Sequence, residues 1–295
     1  MIDFKPIEKE RINEYKSYYD YTGGLGCELN FVNGYLWNQE YRLRVAVYRD
    51  TLIKAYFRDE HRVWGYCMPS GAYVAEAVEA VFADAEERGQ RVYFAYMTGR
   101  ERDLLEALFP GRFVYDREPA NQDYIYNTGD LATLAGKKYH AKRNHISKFY
   151  RIYGDDVRFE TLCAHNLADA MQVMTDWCTE NGYDPQSYGE VEVFREACRC
   201  FDELGLHGGI LYVGSKPVAT TMGCAISDVC FDVMFEKGLR AYDGVYAVIN
   251  HEFAKTLTRY AYINREEDLG IEGLRKSKLS YHPAIIYDRY CAKPL

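Results

Sequence analysis

The sequence predicts an α+β protein of two domains, each a mixed central sheet flanked by helices. Three observations carry that expectation. The chain has 295 residues, 48% of them hydrophobic, which is long for one core and enough to fill two. Short β-branched and aromatic runs alternate with stretches of helical period, so neither an all-α nor an all-β class fits. In the second half the elements follow the order β, α, α, β-hairpin, β, α, β, α, β, and the first half can be laid on a similar plan.

Residues 8 to 21 read as an opening amphipathic helix. The run GGLGCELNFVNGYLWNQEY then reads as a glycine-rich loop, with Phe31, Tyr35, Trp37 and Tyr41 at spacings that fit no helix face. Such aromatics either wall a groove or plug a junction. Leu43 to Val47 and Leu52 to Phe57 flank Arg49-Asp50 as a hairpin, and Arg62 to Cys67 adds a third strand. Val74 to Arg88 has helical period, with Val74, Val78, Val81 and Phe82 on one stripe, and stops at Gly89. Val92 to Met97 is a strand, Glu101 to Phe109 a helix ended by Pro110-Gly111, and Phe113 to Tyr126 extended.

Residues 131–154 read as a basic connector helix between an N-terminal domain, 1–130, and a C-terminal domain, 155–295. Val157 to Thr161 is a strand. Asn166 caps a helix whose apolar face is Leu167, Ala170, Met171, Met174 and Trp177, and a second helix uses Val191, Phe194, Cys198 and Phe201. A hairpin turns at Gly214-Ser215-Lys216-Pro217. The strand Cys230 to Phe235 follows, then a long helix after Gly244, the strand end Tyr260 to Ile263, a short helix from about Ile271 to Leu279 capped by Asp268, and a last strand, Ala284 to Tyr290. This is the element order of the GCN5-related N-acyltransferase (GNAT, or acyl-CoA N-acyltransferase) fold. Two GNAT-like domains in tandem are therefore expected, although no segment repeats in sequence.

Charge and composition exclude several classes. The net charge of −8 argues against a broad nucleic-acid footprint and against DNA. It is uneven: Gly136 to Arg151 carries six Lys/Arg and no acid, so that stretch is +6 and the remainder −14. A basic stripe on an acidic body is a docking signal, and Lys137, Lys138, His140, Lys142, Arg143 and Lys148 are the candidate contacts to a polyanion, with Tyr139 and Phe149 interleaved for stacking on bases should that polyanion be a nucleic acid. A solvated helix is the plainer reading. Nine scattered cysteines without a C-x-x-C pair suit reduced thiols rather than disulfides, and no metal site is expected. No signal core or bilayer-length apolar run is present, so a cytoplasmic protein without a transmembrane segment is expected.

The polar stretch NREEDLGIEGLRKSKLSYHP, Asn264 to Pro283, is the candidate site. Acids, bases and hydroxyls at the carboxyl end of a strand are where α/β folds place chemistry. Glu236, at the mouth where the central strands of this fold splay, is a candidate base. Asp268 is its rival, and Tyr281 is a candidate proton donor to a leaving hydroxyl. Arg275 and Lys278 could hold a phosphate or developing negative charge, with Asn264, Ser280 and Trp37 as further substrate contacts. Each has a plain structural alternative: a rim pair Glu236–Lys237, a helix cap at Asp268, surface charges, and one tyrosine among 28. Lys278→Ala and Arg275→Ala are expected to weaken donor binding while leaving thermal stability nearly unchanged.

Four segments, FVNGYLWNQEY, DYIYNTGDLATLAGKKYHAKRNHISKF, FEKGLRAYDGVYAVINHEF and NREEDLGIEGLRKSKLSYHP, give the chain its resemblance to a known family. It resembles the soluble members of the phosphatidylglycerol lysyltransferase C-terminal domain family, which are related to the Fem-type transferases with paired acyltransferase-fold domains. The resemblance implies an acyltransferase that moves an aminoacyl group from aminoacyl-tRNA to an amine or hydroxyl acceptor: a small molecule, a peptide or a lipid head group. The membrane-bound relatives carry a large N-terminal transmembrane region that this sequence lacks, which weakens the lipid option. No cofactor is expected beyond the donor. An acyl-CoA donor is the alternative. It is disfavoured because RAYDGVYA departs from the Q/R-x-x-G-x-G/A loop that cradles pyrophosphate at a helix N-terminus. A non-catalytic protein that binds RNA, peptide or lipid is the third reading.

Overall fold

The computed structural model describes residues 1–19 and 24–295. Residues 20–23, where the expected opening helix ends and the glycine-rich run begins, lie outside them. The chain forms two compact units: residues 1–123, 267–275 and 286–295, and residues 124–266 and 276–285.

The elements, in chain order, begin with β1 (Lys5–Pro6), α1 (Ile12–Ser17), α2 (Phe31–Leu36), α3 (Asn38–Tyr41), β2 (Leu43–Val47), β3 (Thr51–Phe57), β4 (Val63–Tyr66) and β5 (Ser70–Gly71). Then come α4 (Val74–Glu87), β6 (Phe94–Met97), α5 (Gly99–Leu108), β7 (Phe113–Arg117), β8 (Asp123–Asn127), α6 (Thr128–Thr133) and α7 (His140–Tyr153). They continue as β9 (Val157–Thr161), α8 (Leu167–Glu180), α9 (Gly189–Arg199), β10 (His207–Val213), β11 (Lys216–Ala225), β12 (Cys230–Gly238) and α10 (Val245–Thr256). The chain ends with β13 (Tyr262–Asn264), α11 (Glu272–Leu279), β14 (Ile285–Tyr287) and β15 (Tyr290–Pro294).

In the first unit the strand order is β1-β2-β3-β4-β6-β15-β7, with β5 beside β3. Its pairs are antiparallel except β4 with β6, which meet in parallel at Tyr66 and Phe94. α4 lays Ala77, Val78, Val81 and Ala85 into a core shared with Ile53, Ala55, Tyr66 and Phe94. The second unit repeats the plan: β8-β13-β12-β11-β10-β9 is antiparallel except for β12 with β13. α10 and α7 pack Val245, Val248, Ile249 and Phe149 against Leu211, Val218 and Ala219. Each unit is thus a mixed sheet with one parallel pair and helices around it, the GNAT-like α+β plan expected from element order.

Several local expectations change. The later part of the glycine-rich run is helical, in α2 and α3, because Asn30 starts α2: its side chain accepts from the N–H groups of Val32 and Asn33 at 3.1 and 3.2 Å. Phe31, Val32 and Leu36 are then buried. Asn166 precedes α8 without capping it. Its Oδ1 accepts from Cys163 N at 2.8 Å, closing the turn before the helix instead. The strand expected to close the second sheet is divided in two. Tyr290–Pro294 pairs with β7 and β6, so the tail of the chain completes the first sheet. α7, expected as the basic helix connecting the domains, packs in the second unit through Ile146, Phe149, Tyr150 and Tyr153.

Candidate active site

The parallel pair of the second unit is short. β13 ends at Asn264, opposite Asp232, whereas β12 runs on to Gly238. Glu236 lies on that overhang, and Arg265 is the first residue beyond β13. Arg265 Nη2 donates to Glu236 Oε1 at 2.7 Å, with both side chains only 11–12% exposed. Asn250 of α10 donates to the other carboxylate oxygen at 3.3 Å. The Arg265 guanidinium also stands 5.0 Å from the ring centre of Tyr281 and 5.8 Å from that of Tyr126. Lys142, reaching in from α7, places its Nζ 3.7 Å over the same Tyr281 ring. Glu236, Arg265, Lys142 and Tyr281 therefore form one cluster at the end of the parallel pair.

The last turn of α11 is pinned beneath this cluster. Lys278 Nζ donates to the carbonyl oxygens of Arg265 and Glu266, the second at 3.1 Å. The hydroxyls of Tyr126 and Tyr139 donate to the carbonyls of Lys278 and Tyr281 at 2.9 and 3.1 Å. Glu236 and Lys278 are thus held in one unit by the same residue, Arg265.

Burial sets the electrostatics. Burial pulls the Lys142 ammonium down to about 8, the Arg265 charge adds to the drop, and Glu236 opposes it. Burial pushes the Tyr281 phenol well up, Arg265 opposing and Glu236 adding. Burial also acts to lower Arg265, but Glu236 and the neighbouring tyrosines outweigh it and hold the guanidinium charged. A lysine close to losing its proton at neutral pH, beside a fixed cation and a buried phenol, has the makings of acid–base chemistry.

The other expected site residues fall elsewhere. Asn264 is fully buried and its Oδ1 accepts from Glu266 N at 2.7 Å, a turn-forming bond. Ser280 is exposed and donates to Ser277 O at 2.5 Å. Asp268, Arg275 and Trp37 belong to the first unit. Asp268 is fully buried and accepts from Arg275 Nε at 2.7 Å, Arg275 Nη2 at 3.0 Å and Gly270 N at 2.8 Å. Ile271 N, just ahead of α11, donates to the Asp268 backbone carbonyl, so Asp268 closes the turn into that helix. Trp37 is half-buried and packs on Tyr41, ring centres 5.5 Å apart.

The basic segment is less open than its sequence suggests. Lys137, Lys138, His140 and Lys148 are exposed, but Lys138 pairs with Asp130 at 3.2 Å and Lys148 with Asp243 at 2.5 Å. Arg143 Nη1 donates to the carbonyls of Leu134 and Gly136, which closes the turn before α7. Lys142 points inward, as above. Tyr139 and Phe149 are fully buried, so the expected stacking on bases has no surface there. Sequence reasoning missed Arg265, Asn250 and Tyr126. Arg265 had one visible signal: it follows the final residue of a strand at its carboxyl end.

The family described as "Phosphatidylglycerol lysyltransferase, C-terminal" matches residues 23–293. An uncharacterized protein of Mycoplasmoides gallisepticum is 23% identical over 206 residues, which is 69% of this chain and 65% of that protein. The chain thus spans just under two thirds of this curated relative. A conserved protein of unknown function from Bacteroides thetaiotaomicron is similar over the full length of both chains, at 37% identity and a TM-score of 0.92. L-PGS from Bacillus licheniformis is similar over 99% of this chain and 93% of its own, at 14% identity and a TM-score of 0.68. FemX is similar over 100% and 98%, at 10% identity and a TM-score of 0.61. The last two likenesses show a shared fold. The match over residues 23–293 shows more: this chain belongs to the phosphatidylglycerol lysyltransferase C-terminal family.

Proposed function

We infer that this chain transfers an aminoacyl group from aminoacyl-tRNA to an amine or hydroxyl acceptor, which is a small molecule, a peptide or a lipid head group. The observation that carries the reading is the desolvated Lys142 beside the Glu236–Arg265 pair, in a member of this family. In its neutral form Lys142 takes a proton from the acceptor, whose nitrogen or oxygen then attacks the ester carbonyl carbon. The carbonyl electrons move to oxygen, and Arg265 supplies positive charge. Its Nη1 is buried and has no hydrogen-bond partner among the described residues, so a donor is already in place for an oxyanion. The tetrahedral intermediate collapses, the C–O bond to the ribose breaks, and Tyr281 or the Lys142 ammonium returns a proton to the leaving oxygen. Glu236 accepts from both Arg265 and Asn250, so it orients the guanidinium rather than acting as the base.

The start of α10 supports a donor other than acyl-CoA. Val245 N donates to Tyr242 O and Ala247 N to Gly244 O, so these first-turn donors are already engaged. The Asp243 carboxylate also stands at this turn. Both features weaken a pyrophosphate cradle. Titrating labelled aminoacyl-tRNA and acetyl-CoA against the protein tests the reading. Saturable binding of the first and none of the second is expected. Tight acetyl-CoA binding alone would shift the assignment to a CoA-dependent N-acyltransferase, and binding of neither by folded protein would favour a non-catalytic role.

A further inference from the structure

The first unit holds a second buried charge cluster that the proposed reaction does not use. Arg289, just before β15, is 0% exposed. Its Nη2 pairs with Asp123 Oδ2 at 2.8 Å and also with Glu28. Its Nε and Nη1 are buried with no hydrogen-bond partner among the described residues. Two stranded guanidinium donors are costly to maintain unless something accepts from them. Arg289 also lines a small cavity of ≈ 20 Å³ with Glu28, Lys54, Thr98 and Glu101. Gly26 packs against the same guanidinium: a Cβ there would lie 2.7 Å from Nη2 and 2.9 Å from Nη1, so glycine is what allows this close approach.

We propose that this cavity binds the carboxylate of a small molecule, with Arg289 as its principal donor and Lys54 as a second cation in the wall. The free volume suits a group about the size of one or two waters, which admits a carboxylate head but not a phosphate ester with its substituents. A cation is the less fitting occupant. Cys27, Asp123 and Glu267 lie close enough together to suggest a metal site, but Asp123 is already paired with Arg289. Burial, with Asp123 adding, keeps the Cys27 thiol far from ionising.

Glu28 gives the site a pH signature. Burial pushes its carboxyl up to about 8; Arg289 opposes the rise, and Asp123 and Glu267 add to it. The other charged groups in the wall are Lys54 and Glu101. Burial thus favours the protonated form of Glu28, which can donate to an incoming carboxylate; once it ionises, two negative groups share one guanidinium.

The experiment is calorimetric titration of the whole chain with acetate, glycine, methylammonium and zinc, at pH 6.5 and pH 9. Saturable, millimolar or tighter binding of acetate and glycine at pH 6.5 is expected, at least fivefold weaker at pH 9, with no response to methylammonium or zinc. Arg289→Lys keeps a cation for Asp123 but removes the stranded donors, and it should abolish binding while the far-UV dichroism is retained. Should that variant not fold, Glu28→Gln remains informative, because it should bind acetate equally at both pH values. The proposal is overturned by absence of acetate binding to the wild type, by unchanged binding in folded Arg289→Lys, by a wild-type pH response in Glu28→Gln, or by an acetate-soaked crystal with only ordered water on Nε and Nη1. Because the site lies within the first unit, its failure leaves the Lys142 chemistry untouched.

Discussion

Lys142 shows how one side chain can be read in two ways. In sequence it is one of six cations on a basic stripe. In the folded chain it leaves the stripe and lies over Tyr281, near Arg265. A desolvated ammonium near a like charge is a stability cost, and evolution keeps such costs at sites of function. Lys142→Met should therefore raise the melting temperature at pH 7 while lowering transfer at least tenfold. A loss of both stability and activity would mark the residue as structural. The sign of the wild-type pH dependence follows from the lowered value. Between about 8 and the ordinary lysine range the unfolded chain holds a proton that the folded chain does not, so stability rises with pH across that window. Urea midpoints measured from pH 7.5 to 10 check this.

Two more residues reverse their sequence reading. Arg275 and Lys278 were expected to be expendable for stability. Lys278 is buried and ties two carbonyls, while Arg275 neutralises a fully buried Asp268. Lys278→Ala and Arg275→Ala should each cost about 2 kcal/mol or more, since each strands buried polar partners. Equilibrium denaturation measures it, and a change within about 0.5 kcal/mol would restore the surface reading.

At the scale of elements, strands and long helices were legible because their periods are long enough to count. α4, α8, α10 and the β10–β11 hairpin stand where apolar spacing placed them. The failures share one cause. α2 and α3 are six and four residues long, too short for a helical stripe, and a single cap at Asn30 decides them. The destination of the last strand was invisible because pairing partners distant in sequence leave no local pattern. One glycine carries more information than its sequence context gives. Gly223 sits where the β11–β12 register shifts, and a Cβ there would collide with the Asp232 carbonyl oxygen. Gly223→Ala should destabilise by on the order of 3 kcal/mol. An unchanged thermal midpoint would show that the bulge can relax. Of the candidate site, the acidic strand end and the pinned helix were readable as composition, but the Arg265 bridge between them was not.

Over the whole molecule, the proposed tRNA contact falls on the one basic segment of an otherwise acidic chain. Lys137 and Arg151 are the exposed cations of that segment without an ion pair to an acid among the described residues. Lys137→Ala with Arg151→Ala should reduce the slope of log affinity against log salt for tRNA by about 1–2, without changing the response to pH. An unaltered slope, read by filter binding between 50 and 200 mM salt, would place the contact elsewhere. No helix among the described residues is long and apolar enough to cross a membrane.

The central claim is that a lysine held near neutrality drives aminoacyl transfer, and one assay addresses it directly. Protein-dependent loss of the aminoacyl ester from labelled tRNA, with a small amine as acceptor, is followed from pH 6.5 to 9 for the wild type and for Lys142→Gln. The account predicts a wild-type rate that climbs with pH, is half-maximal near pH 8 and levels off above it, and a slow, flat profile for the variant. Equal rates and equal profiles for the two proteins would contradict it.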